Sequence, residues 1–485
     1  MFTTVVELGT PAQSFELIVD TGSSLLWVAC GGCGTSCESA QGLATGQGGF
    51  FNTEASSTFK AVSCTGLDCV TSMCESELPL HTAGLNFSAA SDVSGGGLCA
   101  YVCQYADGSV SSGAIVNDVV RLGSIADALL FGCEIGAGGN VQQDSLDGII
   151  GLGLGDQSVI TQLTQAQVIG DSFAVCLGPV GSSYVYDWQG NGRGSGGGEA
   201  SSVVGALFLG DVATELVEYA VWTPLVRSLA CWENYIVTVD GMSVVPPRHS
   251  GEAVNIAQYS PYSDAQMGFL YGSGCGGVIL DSGSSMTYVP GPALEALHYA
   301  VGANLAPGAR EMPCPAAAQS INSTCYQAPP GGDVDDYFPG VLINFAAGAQ
   351  LYVPPTGYLF SLGIPWPGVY VLGWFNSGGY GTILGAITLA DNLVVFDRQE
   401  NRVMFRNGTD CTKLGQQSSA GVPASVPPSP WTAHHGIRYN PLPVGSRVVI
   451  PPWAVLLLIL GALAGLTLGQ CTLCVQDNCC GGRYD

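Results

Sequence analysis

Two apolar stretches far apart in the chain share one pattern and end on the same kind of turn. Ile18-Val-Asp-Thr-Gly-Ser-Ser-Leu-Leu-Trp-Val28 is echoed by Ile279-Leu-Asp-Ser-Gly-Ser-Ser-Met-Thr-Tyr-Val289. Each is followed, well downstream, by a second apolar segment closing on glycine, Asp147-Gly-Ile-Ile-Gly151 and Gly381-Thr-Ile-Leu-Gly385. Strand, acidic turn and later apolar segment thus occur twice in the same order. That order predicts two related lobes of β structure, each contributing one acidic turn. Phe2-Thr-Thr-Val-Val-Glu-Leu8 reads as a further strand at the start of the chain.

A different pattern appears near the C-terminus. Val448 to Leu468 is a run of 21 uncharged, largely apolar residues. As a helix it would measure about 31 Å, matching a bilayer core of roughly 30 Å. Pro451 and Pro452 fall in its first turn, where proline is tolerated. The run follows a Pro/Ser-rich stretch with no domain of its own in which to be buried, so a membrane span is expected rather than a core helix. A glycolipid anchor fits less well, because polar and cysteine-rich residues follow the run. The expected organisation is an N-terminal β lobe over 1–172, a C-terminal β lobe over 173–411, a linker over 412–447, a transmembrane helix over 448–469 and a cysteine-rich tail over 470–485.

Composition narrows the class. Of 485 residues 47% are hydrophobic and 11% charged, which excludes a long disordered protein. Sixty-nine glycines, with many Ser, Thr and Val, favour short strands and tight turns over long helices. The formal net charge of −25 repels phosphate backbones, so no nucleic acid is expected as a partner. Such a surface serves solubility, and it also suits an acidic compartment, where protonation relieves self-repulsion. Fifteen of the 19 cysteines lie between Cys30 and Cys411, spread among strand and turn signals with few histidines nearby. Disulfides suit them better than zinc, and neither a metal nor another cofactor is expected. Sequons at Asn86, Asn322 and Asn407 agree with a secretory route. No leader follows Met1, so the sequence is expected to begin inside a longer precursor.

The acidic turns carry the chemistry. Asp20 and Asp281 each follow an apolar strand and precede Thr/Ser-Gly-Ser-Ser. Glycine permits a sharp turn and close backbone approach, and small hydroxyls donate to carboxylates. One Asp-Ser-Gly is an ordinary turn; two, in matching flanks 261 positions apart, are not.

With these residues the chain resembles the pepsin-like aspartic peptidases, and among them the plant-type, nepenthesin-like group. The likeness runs from Phe2 to Cys411. It includes Trp27-Val-Ala-Cys30, Phe51-Asn-Thr-Glu-Ala-Ser-Ser-Thr-Phe59, Cys103-Gln-Tyr-Ala-Asp-Gly-Ser109, Phe131-Gly-Cys133, Trp222-Thr-Pro-Leu225, Tyr235-Ile-Val-Thr-Val-Asp-Gly241 and Val395-Phe-Asp397. Ala106 departs from the family's usual glycine in the flap, and the family's additional N-terminal strand before Phe2 is not in the sequence. The resemblance implies an all-β, two-lobed fold with the active site between the lobes. It implies an endopeptidase using water and two carboxylates at acid pH, acting on protein or peptide substrates and preferring bulky apolar side chains.

Roles carry over residue by residue. Asp20 and Asp281 would form the catalytic pair. Thr21 and Ser282 would link the two turns, Gly22 and Gly283 would turn backbone N–H groups toward the carboxylates, and Ser23 and Ser284 would bond the outer oxygens. Tyr105 would be the flap tyrosine and Trp27 its hydrogen-bonding partner. Ile18 and Ile149 would line the pocket before the scissile bond, although core packing explains both equally. The chain is expected to be monomeric and single-pass, with lobes in the lumen or outside the cell and the tail in the cytosol. The competing reading is a pepsin-fold membrane protein that binds or inhibits without catalysis.

Overall fold

The computed structural model describes residues 2–30, 49–69, 73–74, 97–138, 147–178, 205–210, 214–272, 274–315, 324–363, 365–378 and 381–419. Over these residues the protein is mostly β, with two lobes that meet along the acidic turns.

The first lobe is a nine-stranded sheet. Strand Thr3–Leu8 pairs with Gln13–Asp20, which runs parallel to Gly148–Gly151. Beyond that lie Trp27–Ala29, Ile125–Gly138, Val110–Leu122, Cys99–Gln104 and Met73–Cys74, with Lys60–Ala61 paired to Val110–Leu122. Side chains alternate along a strand, and Gln13–Asp20 shows what that accomplishes. Phe15, Leu17 and Val19 enter the main core, whereas Ile18 joins a second cluster with Leu25, Trp27, Tyr101 and Ile149. Asp20 shares the parity of Ile18, so it reaches the turn on the face away from the main core.

The second lobe repeats the scheme in a ten-stranded sheet. In spatial order it runs Gly205–Leu209, Ser172–Leu177, Asn392–Asp397, Arg402–Asn407, Trp222–Val226, Ile236–Val237, Val278–Leu280, Ile383–Leu384, Thr287–Val289 and Trp374–Asn376. Val278 and Leu280 fill the core, and Val278–Leu280 runs parallel to Ile383–Leu384 as Gln13–Asp20 does to Gly148–Gly151. Two four-stranded sheets extend this lobe, one around Val239–Val245 and Gly340–Phe345, the other around Thr324–Gln327 and Val369–Leu372.

Five disulfides are described: Cys30–Cys133, Cys69–Cys99, Cys176–Cys411, Cys231–Cys275 and Cys314–Cys325. Cys176–Cys411 changes one expectation. The linker expected from 412 begins instead as a helix, Cys411–Ser419, because the disulfide holds its first residue and Leu414 is buried in the cluster beside it. Among the described residues no helix is long and apolar enough to cross a membrane. The expected span 448–469, the tail, and sequons Asn86 and Asn322 lie outside the described residues. Asn407 closes strand Arg402–Asn407; its Oδ1 accepts from Tyr352 N–H (2.8 Å) and its Nδ2 donates to Gln350 O (3.1 Å).

Candidate active site

The two turns meet edge to edge, and four hydrogen bonds cross between them with two-fold regularity. Thr21 N–H donates to Ser282 Oγ (3.1 Å) and Ser282 N–H to Thr21 Oγ1 (3.0 Å). The hydroxyls then donate onward, Thr21 Oγ1 to Leu280 O (2.9 Å) and Ser282 Oγ to Val19 O (2.7 Å). Thr21 and Ser282 are 0% and 1% exposed, so these bonds stand in a dry environment where an unmade bond is costly. Each hydroxyl reaches the backbone of the strand feeding the opposite turn, and this locks the lobes in register.

Above this clasp sit the carboxyls. Gly22 N–H donates to Asp20 Oδ1 (2.7 Å) and Ser23 Oγ donates to Asp20 Oδ2. In the other lobe Gly283 N–H (2.9 Å) and Ser284 N–H (3.1 Å) donate to Asp281 Oδ1, and Ser284 Oγ donates to Asp281 Oδ2 (2.7 Å). The glycines are required by proximity: a Cβ on Gly22 would stand 2.5 Å from Asp281 Oδ1, and one on Gly283 would collide with Asp20. The same contacts show how closely each carboxyl lies against the opposing turn.

Electrostatics follow from that closeness. Asp20 is 5% exposed. Burial, and after it the charge of Asp281, pushes its carboxyl up to about 7, against the lowering effect of the Ser23 and Gly22 hydrogen bonds. Asp20 is thereby favoured in its protonated form beside Asp281, and a proton held where two carboxyls meet belongs to the pair rather than to either member. A pair holding one proton offers a base and an acid side by side.

The remaining candidates lie around this centre. Tyr105 stands at the tip of the hairpin formed by Cys99–Gln104 and Val110–Leu122, and its hydroxyl accepts a 2.7 Å bond from Trp27 Nε1. Ile18 and Ile149 are register neighbours, 8% and 7% exposed, in one cluster with Trp27, and Tyr105 packs against that cluster. The hairpin turn carries its own lock, with Ser109 N–H donating to Asp107 Oδ1 (2.9 Å).

Sequence reasoning passed over the groups that brace the turns from the second lobe. Asn234 Nδ2 donates to Gly22 O (2.8 Å), and Tyr235 OH donates to Leu152 O (2.7 Å). Glu233 hydrogen-bonds Ser24, whose Oγ also accepts from Gly155 N–H (2.9 Å). Burial raises the Glu233 carboxyl above its ordinary value. Nothing in local pattern marks these residues; only the docking of the lobes gives them partners.

Comparison with known proteins follows the same division. Residues 2–186 match the family described as xylanase inhibitor N-terminal, and residues 234–407 the one described as xylanase inhibitor C-terminal. Aspartic proteinase nepenthesin-2 of Nepenthes gracilis is 29% identical over 402 residues, covering 82% of this chain and 76% of its own length. Nepenthesin-1 of the same plant is 26% identical over 401 residues with the same shares. Aspartic proteinase 36 of Arabidopsis thaliana is 27% identical over 430 residues, 85% of this chain and 74% of its own length. Among solved structures, basic 7S globulin from soybean superposes with a TM-score of 0.56 at 18% identity, covering 83% of this chain and 92% of that one, which speaks to the fold alone. With both lobes matched, the chain belongs to the pepsin-like aspartic protease family, in the group built from xylanase-inhibitor-type N- and C-terminal lobes.

Proposed function

We propose that this protein is an aspartic endopeptidase, active at acid pH, that hydrolyses peptide bonds between its lobes. The observation that carries the reading is the pair of facing carboxyls, Asp20 and Asp281, each with its own N–H and hydroxyl donors, joined by the Thr21–Ser282 clasp. The ionised member of the pair takes a proton from water as that water attacks the scissile carbonyl, while the protonated member hydrogen-bonds the carbonyl oxygen and passes its proton to it. The product is a neutral gem-diol. One carboxyl then protonates the departing amine as the C–N bond breaks, the other carboxylate takes a proton from a gem-diol hydroxyl, and the second product is released as a carboxylic acid. The fixed donors supply electrostatic preorganisation. Tyr105 closes over the substrate backbone, held by Trp27, and Ile18 and Ile149 favour a bulky apolar side chain before the scissile bond.

Around this chemistry we place a monomer whose lobes lie in the lumen or outside the cell, held by the 448–469 span. Support comes from the disulfides, which belong to an oxidising compartment. The competing reading, a binding or inhibitory protein of the same fold, draws on the description of the matched family as a xylanase inhibitor. Hydrolysis of a generic protein substrate at pH 3–5, suppressed by a statine-type peptide, decides between them. A folded, disulfide-intact protein that binds such a peptide without cleaving any substrate would support the inhibitory reading.

A further inference from the structure

The mechanism leaves one buried acid beside the flap unused. Strand Ile125–Gly138 shifts register against Val110–Leu122 where Ser112 faces Gly136 and Gly113 faces Glu134. One residue, Ile135, is therefore extra, and bulges of this kind re-aim the side chains around them. Phe131 and Cys133 enter the main core, so alternation puts Gly132 and Glu134 on the opposite face, toward Trp27 and Tyr101. Glu134 is 8% exposed there and hydrogen-bonds Ser111, which is wholly buried. Ser111 Oγ lies 3.1 Å from Tyr101 OH. The Tyr101 ring and Trp27 meet over Gly132, where a Cβ would come within 2.7 Å of the one and 2.8 Å of the other. Trp27 in turn holds Tyr105. An unbroken path of contacts thus runs from Glu134 through Ser111, Tyr101 and Trp27 to the tip of the flap.

The surroundings give Glu134 little to stabilise a charge. Its Oε1 has no hydrogen-bond partner among the described residues. Strand Trp27–Ala29 and helix Val159–Gln165 bring no titratable side chain. The hairpin strands and turn bring Tyr101, Cys103, Tyr105, Asp107, Asp118 and Arg121. Of these Asp107 is engaged by Ser109, Asp118 by Thr58 and Arg121 by Gly9 O. On its own strand Asp127 accepts from Ala128 N–H. Burial accordingly raises the Glu134 carboxyl to about 8, with the Ser111 bond lowering it in part.

We infer that Glu134 is a positioning residue for the flap: neutral, its carboxyl packs under the hairpin root and supports Tyr105; ionised, it opens the root and releases the hairpin. The inference rests on the peptidase reading for its use, since closing the flap matters only over a substrate. The sign is fixed by the raised acid, for the proton is held through the acid range and lost in the alkaline one. Flap closure would thereby be confined to acid and neutral pH by a group separate from the catalytic pair.

The test is hydrogen exchange on the full chain carrying D20N and D281N together, so that the pair no longer titrates, with and without E134Q. Protection of amides 99–112, corrected for intrinsic exchange, is followed from pH 5.5 to 9.5 against that of strand Thr3–Leu8. With Glu134 present, flap protection should fall about tenfold per pH unit up to the raised Glu134 value near 8 and level off above it, because that is the linkage of one proton bound in the closed flap and not in the open one. Strand Thr3–Leu8 should not follow, and E134Q should remove the step. Flat flap protection, the same step in E134Q, or an equal loss in Thr3–Leu8 each overturns the inference. Should E134Q not fold, the contrast between flap and Thr3–Leu8 decides alone. No catalysis enters the readout, so a stepped flap together with a wild-type chain that cleaves no substrate would sink the peptidase reading and leave this one standing.

Discussion

At the scale of single residues, the acidic turns show how few atoms the site needs. Each carboxyl meets a backbone N–H at Oδ1 and a serine hydroxyl at Oδ2, and each turn is pinned by a hydroxyl from the other lobe. Asn substitution keeps the shape of either carboxyl and removes its proton chemistry. D20N and D281N should each lower kcat by at least ~10³-fold while leaving the fold intact, as read by circular dichroism and turnover of a peptide substrate. S282A acts differently. It strips the acceptor from Thr21 N–H and the donor from Val19 O inside a dry contact, so it should destabilise the protein by about 2–4 kcal/mol in denaturant unfolding. A stability loss below 1 kcal/mol would mean that the clasp does not hold the lobes.

At the scale of elements, the flap hairpin and the C-terminal helix have opposite demands. The helix Cys411–Ser419 is closed onto the sheet by a disulfide spanning 235 positions, which restricts the unfolded chain strongly. The flap must move, and the Trp27–Tyr105 bond ties its tip to the lobe. Y105F and W27F should each reduce kcat/KM by ~2–10-fold, the worth of one hydrogen bond. The double variant should lose little more than either alone, because both remove the same bond. Additive losses would show that the two side chains act through separate contacts.

At the scale of the whole molecule, several carboxyls hold protons that the unfolded chain would release. Asp20 is raised to about 7, Glu134 to about 8, and Asp335 and Asp391 to about 6, burial being the first cause in each. A raised acid binds its proton more tightly when folded. Its contribution is therefore complete below the unfolded carboxylate value near 4 and is lost as pH climbs through the folded value. Growing self-repulsion in a chain of net charge −25 acts in the same direction. The melting temperature should fall steadily from pH 5 to pH 8; a maximum near pH 7.5 would contradict the account. Topology belongs to this scale as well. In sealed microsomes a C-terminal tag should be digested by added protease while the lobes stay protected, and a protected tag would overturn the single-span layout.

The local pattern determined a good deal without help from tertiary structure. Strand alternation around Phe15, Leu17 and Val19 places Asp20 on the face opposite the main core, and the repeat at Val278 to Asp281 does the same in the other lobe. Apolar flanks, an acid and a small turn suffice for that, because period and turn chemistry are properties of neighbouring residues. The roles of Thr21, Gly22, Ser23 and their counterparts came instead with the resemblance to the pepsin-like peptidases, which the turn pattern made recognisable. What only the folded molecule decided depends on partners remote in the chain. Asn234 reaches Gly22 from 212 positions away, Cys176 reaches Cys411, and the helix that follows Cys411 replaced an expected linker. Glu134 is the plainest case: in the sequence it is one acid among 38, and it is buried beside a bulge, on the face where Trp27 and Tyr101 pack over Gly132. No local rule can place a carboxyl in a dry pocket, because the pocket exists only after distant strands have closed around it.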